Sequence, residues 1–278
     1  MPKGKIIIAY IMSIFALVLF VFSGYCEEIN NSAQVADLTP EKALQKVADN
    51  YAKISDLKAD ETLFSTLNGE PYGDKLYCRY YFKAPTQESS TVREKTDTFS
   101  DEARNTKTES DIIVGSKFYM IDVENKNIEE QDLLSMSGLK SGQFDQMDMQ
   151  YHLSIFLDKH ILTKDEANTD PGNQIIAINA IPKEPNDLYP KMDICVDYNK
   201  GILVKLVFYN KNADGQPELA QTLEVLETKQ MPNGAWIPIK MNKTPNISSG
   251  HLVTTLEYTD PQINTGLSDE VFDATKQY

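Results

Sequence analysis

Residues able to do metal or nucleophile chemistry are scarce in this chain, which has three histidines and three cysteines among its 278 residues. His152 and His160 lie eight positions apart, which exceeds the i, i+4 spacing with which two histidines on a helix bind one metal ion. His251 begins a strand-like segment, where we expect it to be solvated. The nucleophile-elbow, zinc-protease, Cys-x-x-Cys, P-loop and dinucleotide-binding motifs are absent from the sequence.

One segment superficially resembles a calcium-binding loop. It reads Asn210-x-Asn212-x-Asp214-Gly215, but its first position is neutral and its twelfth is Gln221, where a calcium loop has a bidentate glutamate. We interpret this segment as a hairpin turn. The sequence therefore predicts no enzyme, no metal site and no cofactor.

The charge balance argues against nucleic acid as a partner. The chain carries 41 acidic and 27 basic side chains, and its net charge is −14 at pH 7. Binding to a phosphate backbone requires clustered lysine and arginine that displace counterions, so we expect no nucleic-acid partner. With 41% hydrophobic residues the chain has the composition of a globular protein.

Residues 1–26 have the pattern of an export signal. Lys3 and Lys5 precede an uncharged, mainly apolar run over residues 6–22, and the small residues Gly24 and Cys26 follow before the sequence becomes acidic. We expect cleavage after Cys26 and a periplasmic mature protein. The alternative is that the segment stays uncleaved as a membrane anchor. Lipidation of Cys26 is disfavoured, because a bulky tyrosine precedes it.

After the signal, the sequence predicts a flexible tether over residues 27–38 and a single domain over residues 39–278. Cys78 and Cys195 remain in this domain, and in an oxidising compartment they are a candidate disulfide. The alternative is two buried free thiols that pack as small apolar side chains.

The predicted domain opens with a helix and continues as strands. Thr39 suits an N-cap and Pro40 the first helical position, and apolar residues then repeat at helical spacing, so we expect a helix over residues 39–54. Beyond it, short runs of strand-forming residues are separated by turn residues. The predicted strands cover residues 57–63, 75–83, 88–99, 111–114, 117–122, 175–181, 192–197, 202–209, 219–227, 235–241 and 252–258.

Glycine-containing dipeptides join several of these strands. Asp214-Gly215 and Asn233-Gly234 accept the positive φ angles of type I′ turns, and Gly115-Ser116 stands between two strand segments in the same way. Consecutive hairpins predict a meandering antiparallel sheet.

One helical segment interrupts the strands. Over residues 144–162 the apolar residues repeat at helical spacing, and Phe144, Met147, Tyr151 and Ile155 form one stripe. A helix inserted in a meander is expected to cover one face of the sheet. It is either a mobile lid or a permanently packed cover.

The strand segments carry many aromatic and long aliphatic side chains, which require a cover. These side chains form either an ordinary core or an apolar pocket for acyl chains. The residues that we assign to such a lipid-binding cavity are Tyr80, Phe82, Phe118, Met120, Leu206, Phe208, Val225 and Trp236.

The order of these features resembles the LolA-type lipoprotein-carrier superfamily, and within it the outer membrane lipoprotein-sorting relatives. The similar segments are the opening helix with Leu57-Lys58-Ala59, then Phe82-Lys83-Ala84-Pro85, residues 114–120, residues 233–238, and above all residues 258–267 followed by Phe272. Together they extend over nearly the whole predicted domain.

The resemblance implies an α+β fold that is mainly β, namely an unclosed antiparallel β-barrel wrapped around an N-terminal helix and an inserted helix. It implies a periplasmic carrier or binding protein that holds lipids or lipoprotein acyl chains in a hydrophobic cavity without covalent chemistry. Envelope membrane proteins are further candidate partners, and we expect a monomer. Arg79 and Arg93 resemble basic strand positions that such carriers have near a lid. The alternative function is an envelope sensor, regulator or scaffold that binds a protein partner.

Overall fold

The computed structural model describes residues 38–85, 91–132, 153–184 and 189–278. The predicted signal and nearly all of the predicted tether lie outside these residues, as do Phe144, Met147 and Tyr151 of the predicted inserted helix. No helix within the described ranges has both the length and the apolar character needed to span a membrane.

The described chain forms one 14-stranded sheet and two α-helices. Helix α1 is Pro40–Tyr51 and helix α2 is Leu153–Lys159. The strands are β1 (Asp56–Leu67), β2 (Glu70–Pro71), β3 (Leu76–Lys83), β4 (Arg93–Phe99), β5 (Lys107–Val114), β6 (Lys117–Asp122), β7 (Asn127–Asp132), β8 (His160–Lys164), β9 (Ile175–Pro182), β10 (Lys191–Asp197), β11 (Ile202–Lys211), β12 (Pro217–Gln230), β13 (Trp236–Pro245) and β14 (Leu252–Ile263). Short 3-10 helices lie at Pro171–Asn173, Asp269–Phe272 and Ala274–Lys276.

Helix α1 begins where the sequence predicts. The Thr39 side chain accepts a hydrogen bond from the backbone N–H of Lys42 at 3.4 Å, and Pro40 occupies the first helical position. The buried stripe of α1, which includes Leu44 and Val47, packs against β8, β9, β10 and β11. The helix ends at Tyr51, earlier than the predicted residue 54.

The strand order is β7-β6-β5-β4-β3-β1-β14-β13-β12-β11-β10-β9-β8, and β2 pairs with β1. Successive strands are neighbours in each half of the sheet, as the hairpin dipeptides predict. The pairing of β1 with β14 joins the two halves. Within the described ranges β7 and β8 are the two ends of the order, so the sheet is unclosed. The predicted fold class, an unclosed antiparallel sheet with two helices, is confirmed.

The structure corrects the C-terminal end of the predicted inserted helix. The sequence predicts a helix through residue 162, but α2 ends at Lys159 and β8 begins at His160. The His160 ring stacks on Phe156 with centroids 4.1 Å apart, and its Nδ1 lies 3.0 Å from the Phe156 carbonyl oxygen. The ring of His160 thus holds the junction between α2 and β8.

Asp56 fixes the C-terminal segment to the start of β1. Its carboxylate accepts hydrogen bonds from the Thr265 N–H and hydroxyl, both at 2.7 Å, and from the Gly266 N–H at 2.9 Å. Burial by itself would raise the pKa of Asp56, but these hydrogen bonds outweigh it and lower the pKa. Further along, Phe272 packs beside Ile112 in a second, smaller apolar cluster.

Candidate functional site

We define the inner face of the sheet as the face whose side chains share one apolar core with α1, and the outer face as the opposite one. In β1 and β3, for example, Leu57 pairs with Phe82 and Ala59 with Tyr80. All four side chains are buried in that core. Because side chains alternate along each strand, the register assigns every other residue of the sheet to the inner face.

The predicted cavity residues share this inner face, except for Trp236. They occupy alternate positions along β3, β6, β11 and β12. Cross-strand register brings them together, so that Phe82 and Phe118 stand in one row across β3, β4, β5 and β6. The residues of this face that the sequence predicts are Tyr80, Phe82, Phe118, Met120, Leu206, Phe208 and Val225.

Trp236 lies instead at the C-terminal end of α1. The side-chain amide of Asn50 donates to the Trp236 carbonyl oxygen and accepts from the Trp236 N–H, both at 2.8 Å. The Nζ atom of Lys200 lies 5.4 Å from the centroid of the indole ring. These contacts fix the start of β13 to α1, so Trp236 contributes to the end of the core.

Of the predicted lid stripe, Ile155 alone lies within the described residues. Helix α2 directs Leu153 and Phe156 into the core, whereas Ile155 is 41% exposed. The described part of the inserted segment thus packs through Leu153 and Phe156, which the sequence predicts as residues that broaden the stripe.

Cys78 and Cys195 of the predicted domain are not joined by a disulfide. Cys78 is buried on β3, with its Sγ 3.8 Å from the Thr98 hydroxyl oxygen. Cys195 is on β10, and β1, β14, β13, β12 and β11 stand between the two strands in the sheet. The strand order therefore separates the two cysteine positions.

An apolar row crosses the middle of the inner face. Register aligns successive residues of β12, β13, β14, β1 and β3 in this row. Its members, which we call the apolar row, are Val225, Met241, Leu256, Leu63 and Leu76.

The inner face beside α1 is not fully sealed by the described residues. Val204, Leu223 and Ile239 contact the core on β11, β12 and β13 but remain half-buried. Val225 and Leu76, the two ends of the apolar row, are half-buried as well. Hydrocarbon surface of this kind still gains free energy when a further apolar group covers it.

The same face carries buried carboxyl groups that the sequence analysis missed. Glu61 on β1, Glu94 on β4 and Asp111 on β5 are each 4% exposed or less. Burial raises the pKa of Glu61 to about 8. Burial is also the largest cause that raises the pKa of Glu94 and of Asp111 well above the usual range. Burial therefore favours the neutral, protonated form of these three carboxyl groups.

The alternation of side chains along each strand could have placed these groups on the inner face from the sequence. Glu61 is two residues from Ala59 and two from Leu63, so it has the inner phase of β1. Lys243 likewise has the phase of Met241 on β13. Composition alone does not reveal them, because most acidic and basic side chains are solvated.

The basic residues that resemble family positions lie on the outer face. Arg79 pairs through Nε with Asp60 at 2.6 Å, and Arg93 lies 3.6 Å from Asp269. Among the residues described, no group of histidine, cysteine and acidic side chains is placed to hold a metal ion.

Comparison with known proteins bears on this arrangement. The model of a family described as "Uncharacterized protein" matches residues 100–276. No curated protein matches the chain.

Several solved structures share its fold. A candidate outer membrane lipoprotein-sorting protein domain from Vibrio parahaemolyticus has a TM-score of 0.61 at 18% identity, over 84% of this chain and 97% of that one. A DUF1329 family protein from Desulfovibrio piger has a TM-score of 0.60 at 12% identity, over 85% and 98%. A LolA superfamily protein from Nitrosomonas europaea has a TM-score of 0.53 at 13% identity, again over 85% and 98%. These similarities show a LolA-like fold.

Proposed function

Because this chain belongs to the family whose model covers residues 100–276 and has a LolA-like fold, we propose that it is a non-catalytic carrier or binding protein for acyl chains. The bound groups are lipids or the acyl chains of lipoproteins, and the inner face of the sheet receives them. We further propose that residues 1–26 export the protein to the periplasm and that residues 39–278 are one domain that acts as a monomer.

The observation that carries this proposal is the half-buried apolar surface of the inner face next to α1. An ordinary core would bury these side chains completely, as α1 does along β8 to β11. On β11, β12 and β13 the inner side chains Val204, Leu223 and Ile239 keep contact with solvent. They lie beside the apolar row, whose ends Val225 and Leu76 are half-buried and whose middle members Met241, Leu256 and Leu63 are buried.

The energetics suit a carrier that also releases its cargo. About ten buried methylene groups contribute roughly 8 kcal/mol at about 0.8 kcal/mol each. Association costs about 4 kcal/mol or more, so one short chain is held with about millimolar affinity. A longer chain, or a second one, brings the dissociation constant into the micromolar range. Such affinities permit transport through water and transfer to a tighter acceptor.

Native mass spectrometry of the purified protein tests the proposal. The full chain is expressed in a bacterial host and released from the periplasm without detergent. We expect adducts with the masses of acyl lipids, which organic extraction then identifies. The same spectrum gives the mass of the mature chain and so tests cleavage after Cys26.

A protein that carries no acyl lipid and binds no added fatty acid would contradict the carrier function. Co-purification of a stoichiometric protein partner with an empty inner face would instead favour the sensor or scaffold alternative. A control protein with a closed apolar core, purified in the same way, sets the level of non-specific lipid.

A further inference from the structure

A polar row lies directly beside the apolar row on the inner face. Register places Lys243 of β13 between Leu223 of β12 and Thr254 of β14. Thr254 in turn pairs with Ser65 of β1, and the two hydroxyl oxygens are 2.9 Å apart. We call Lys243, Thr254 and Ser65 the polar row.

The two rows are separated by one inner-face repeat along each strand. Each residue of the polar row is two positions from a residue of the apolar row on the same strand. The three pairs are Lys243 and Met241, Thr254 and Leu256, and Ser65 and Leu63. Two residues of strand correspond to about 6.5 Å. This spacing is comparable to the distance between the polar head group of an amphiphile and the beginning of its hydrocarbon chain.

Lys243 has no acidic partner among the described residues around it. Its cross-strand neighbours on the inner face are Leu223 and Thr254, and Ser65 lies on the strand beyond Thr254; none of the three carries a charge. The nearest titratable groups in the same phase of β1 and β14 are Glu61 and Tyr258, each four residues further along its strand. Burial lowers the pKa of Lys243 to about 7.

Lys240, on the same strand, shows the ordinary arrangement. It lies on the outer face, forms an ion pair with Glu257, and this pairing raises its pKa. Desolvating an ammonium group without a counter-charge destabilises a fold, and a methionine at position 243 would fill the same space without that cost. The position of Lys243 thus favours a ligand that supplies the missing negative charge.

Building on the proposed function, we propose that the inner face binds an anionic amphiphile, with its acyl chain on the apolar row and its carboxylate or phosphate on the polar row. An ammonium group has three hydrogens to donate. The Ser65 and Thr254 hydroxyls use one hydrogen between them, which leaves the second hydroxyl hydrogen for an anionic oxygen. Charge and donors therefore converge along one side of the apolar row.

Displacement of a neutral apolar dye tests this proposal. The full-length protein is loaded with N-phenyl-1-naphthylamine and titrated with oleate, with 1-oleoyl-lysophosphatidate or with uncharged oleyl alcohol. We expect Lys243→Met to bind the dye as the wild type does and to lose about 10- to 100-fold in affinity for the anionic ligands. Oleyl alcohol should bind both proteins equally. The two anionic ligands distinguish a carboxylate from a phosphate head group.

The matched control is Lys240→Met, which removes a lysine from the outer face of the same strand. It should leave all three ligands unaffected. Equal affinity of wild type and Lys243→Met for both anions would overturn the proposal, while binding of dye and alcohol would leave the carrier function intact. Failure of every ligand and of the dye to bind the folded wild type would contradict the carrier function itself.

The pH dependence gives a second measurement. With its pKa near 7, Lys243 loses its charge as the pH rises from 6 to 8, so wild-type affinity for oleate should fall by about tenfold more than that of Lys243→Met. Glu61, whose pKa is about 8, and oleate itself titrate in both proteins, so the difference isolates Lys243. Parallel pH profiles would contradict the assigned role.

Discussion

Replacing Asp56 by asparagine tests how the C-terminal segment is held to β1. The carboxylate accepts hydrogen bonds from Thr265 and Gly266 at 2.7 to 2.9 Å. Hydrogen bonds to a charged group contribute about 1.5–3 kcal/mol each, and neutral ones about 0.5–1.5 kcal/mol. Asparagine keeps one oxygen for Thr265 and turns an NH₂ group toward the Gly266 N–H. One hydrogen bond is lost and two are weakened, so we expect Asp56→Asn to lower the free energy of unfolding by about 3 kcal/mol.

The pH dependence of this loss has a definite sign. The pKa of Asp56 is lowered in the folded protein, whereas in the unfolded chain it is about 3.9. The stabilisation is therefore fully present at neutral pH and disappears as the pH falls through the folded-state pKa. At low pH a protonated Asp56 resembles asparagine, so the two proteins should converge in stability.

Urea unfolding at pH 7 and at pH 3, followed by circular dichroism, measures both effects. Asp74→Asn, in an exposed loop, is the matched control and should change the free energy of unfolding by less than about 0.5 kcal/mol. An Asp56→Asn loss below about 1 kcal/mol at pH 7 would refute the reasoning. A loss of equal size at both pH values would refute the role of the charge.

Two further substitutions test the packing of α1 and the buried acids. Gly201→Ala should lower the free energy of unfolding by about 3 kcal/mol, because a Cβ atom there would lie 2.5 Å from the Lys46 carbonyl oxygen at a φ of +64°. The control Gly215→Ala, at a φ of +75° with open space around it, should lower it by only about 1 kcal/mol. Similar urea midpoints for the two variants would contradict the close contact with α1. Glu61→Gln should flatten the pH profile of stability, because Glu61 has a folded-state pKa of about 8. The stabilisation from protonated Glu61 is fully present below the ordinary carboxyl pKa and falls by up to about 1.4 kcal/mol per pH unit as the pH rises to 8. Thermal unfolding should therefore show a higher stability of the variant relative to wild type at pH 8 than at pH 5, and a constant difference would contradict the raised pKa.

Local signals predicted most of the strands and the topology within each half of the sheet. Asp214-Gly215 and Asn233-Gly234 lie in the hairpins β11–β12 and β12–β13, as predicted. Only the glycines take a positive φ, +75° at Gly215 and +78° at Gly234, so the predicted type I′ geometry, which needs a positive φ at both residues, is wrong. Thr39 and Pro40 fixed the start of α1 for equally local reasons. The resemblance to LolA-type proteins supplied the global arrangement.

Strands β7 and β8 lacked such signals. β7 (Asn127–Asp132) lies at one end of the strand order and exposes most of its side chains on both faces, so it has no apolar alternation to detect. β8 (His160–Lys164) is only five residues long and follows α2 directly. Over so few residues, helical and strand periodicity assign nearly the same positions to the apolar face. The predicted helix therefore ran past its true end.

The site was predicted in part for a related reason. The sequence predicted Phe82, Leu206 and their neighbours as apolar residues of strands, and alternation along those strands is why they share one face. The rows that cross this face, however, depend on the pairing of β1 with β14, which joins residues nearly 200 positions apart, such as Ser65 and Thr254. No local pattern encodes that pairing, so the meeting of Lys243, Thr254 and Ser65 appears only in the folded structure.

The central claim is that an acyl chain lies along the inner face, and photo-crosslinking tests it most directly. A fatty acid with a diazirine at mid-chain is bound to the folded protein, irradiated and mapped by peptide mass spectrometry. We predict labels on the apolar row, chiefly at its half-buried ends Val225 and Leu76, and their loss in the presence of excess oleate. Labelling confined to exposed residues such as Leu219 and Leu226, or labelling that oleate does not compete, would contradict the claim.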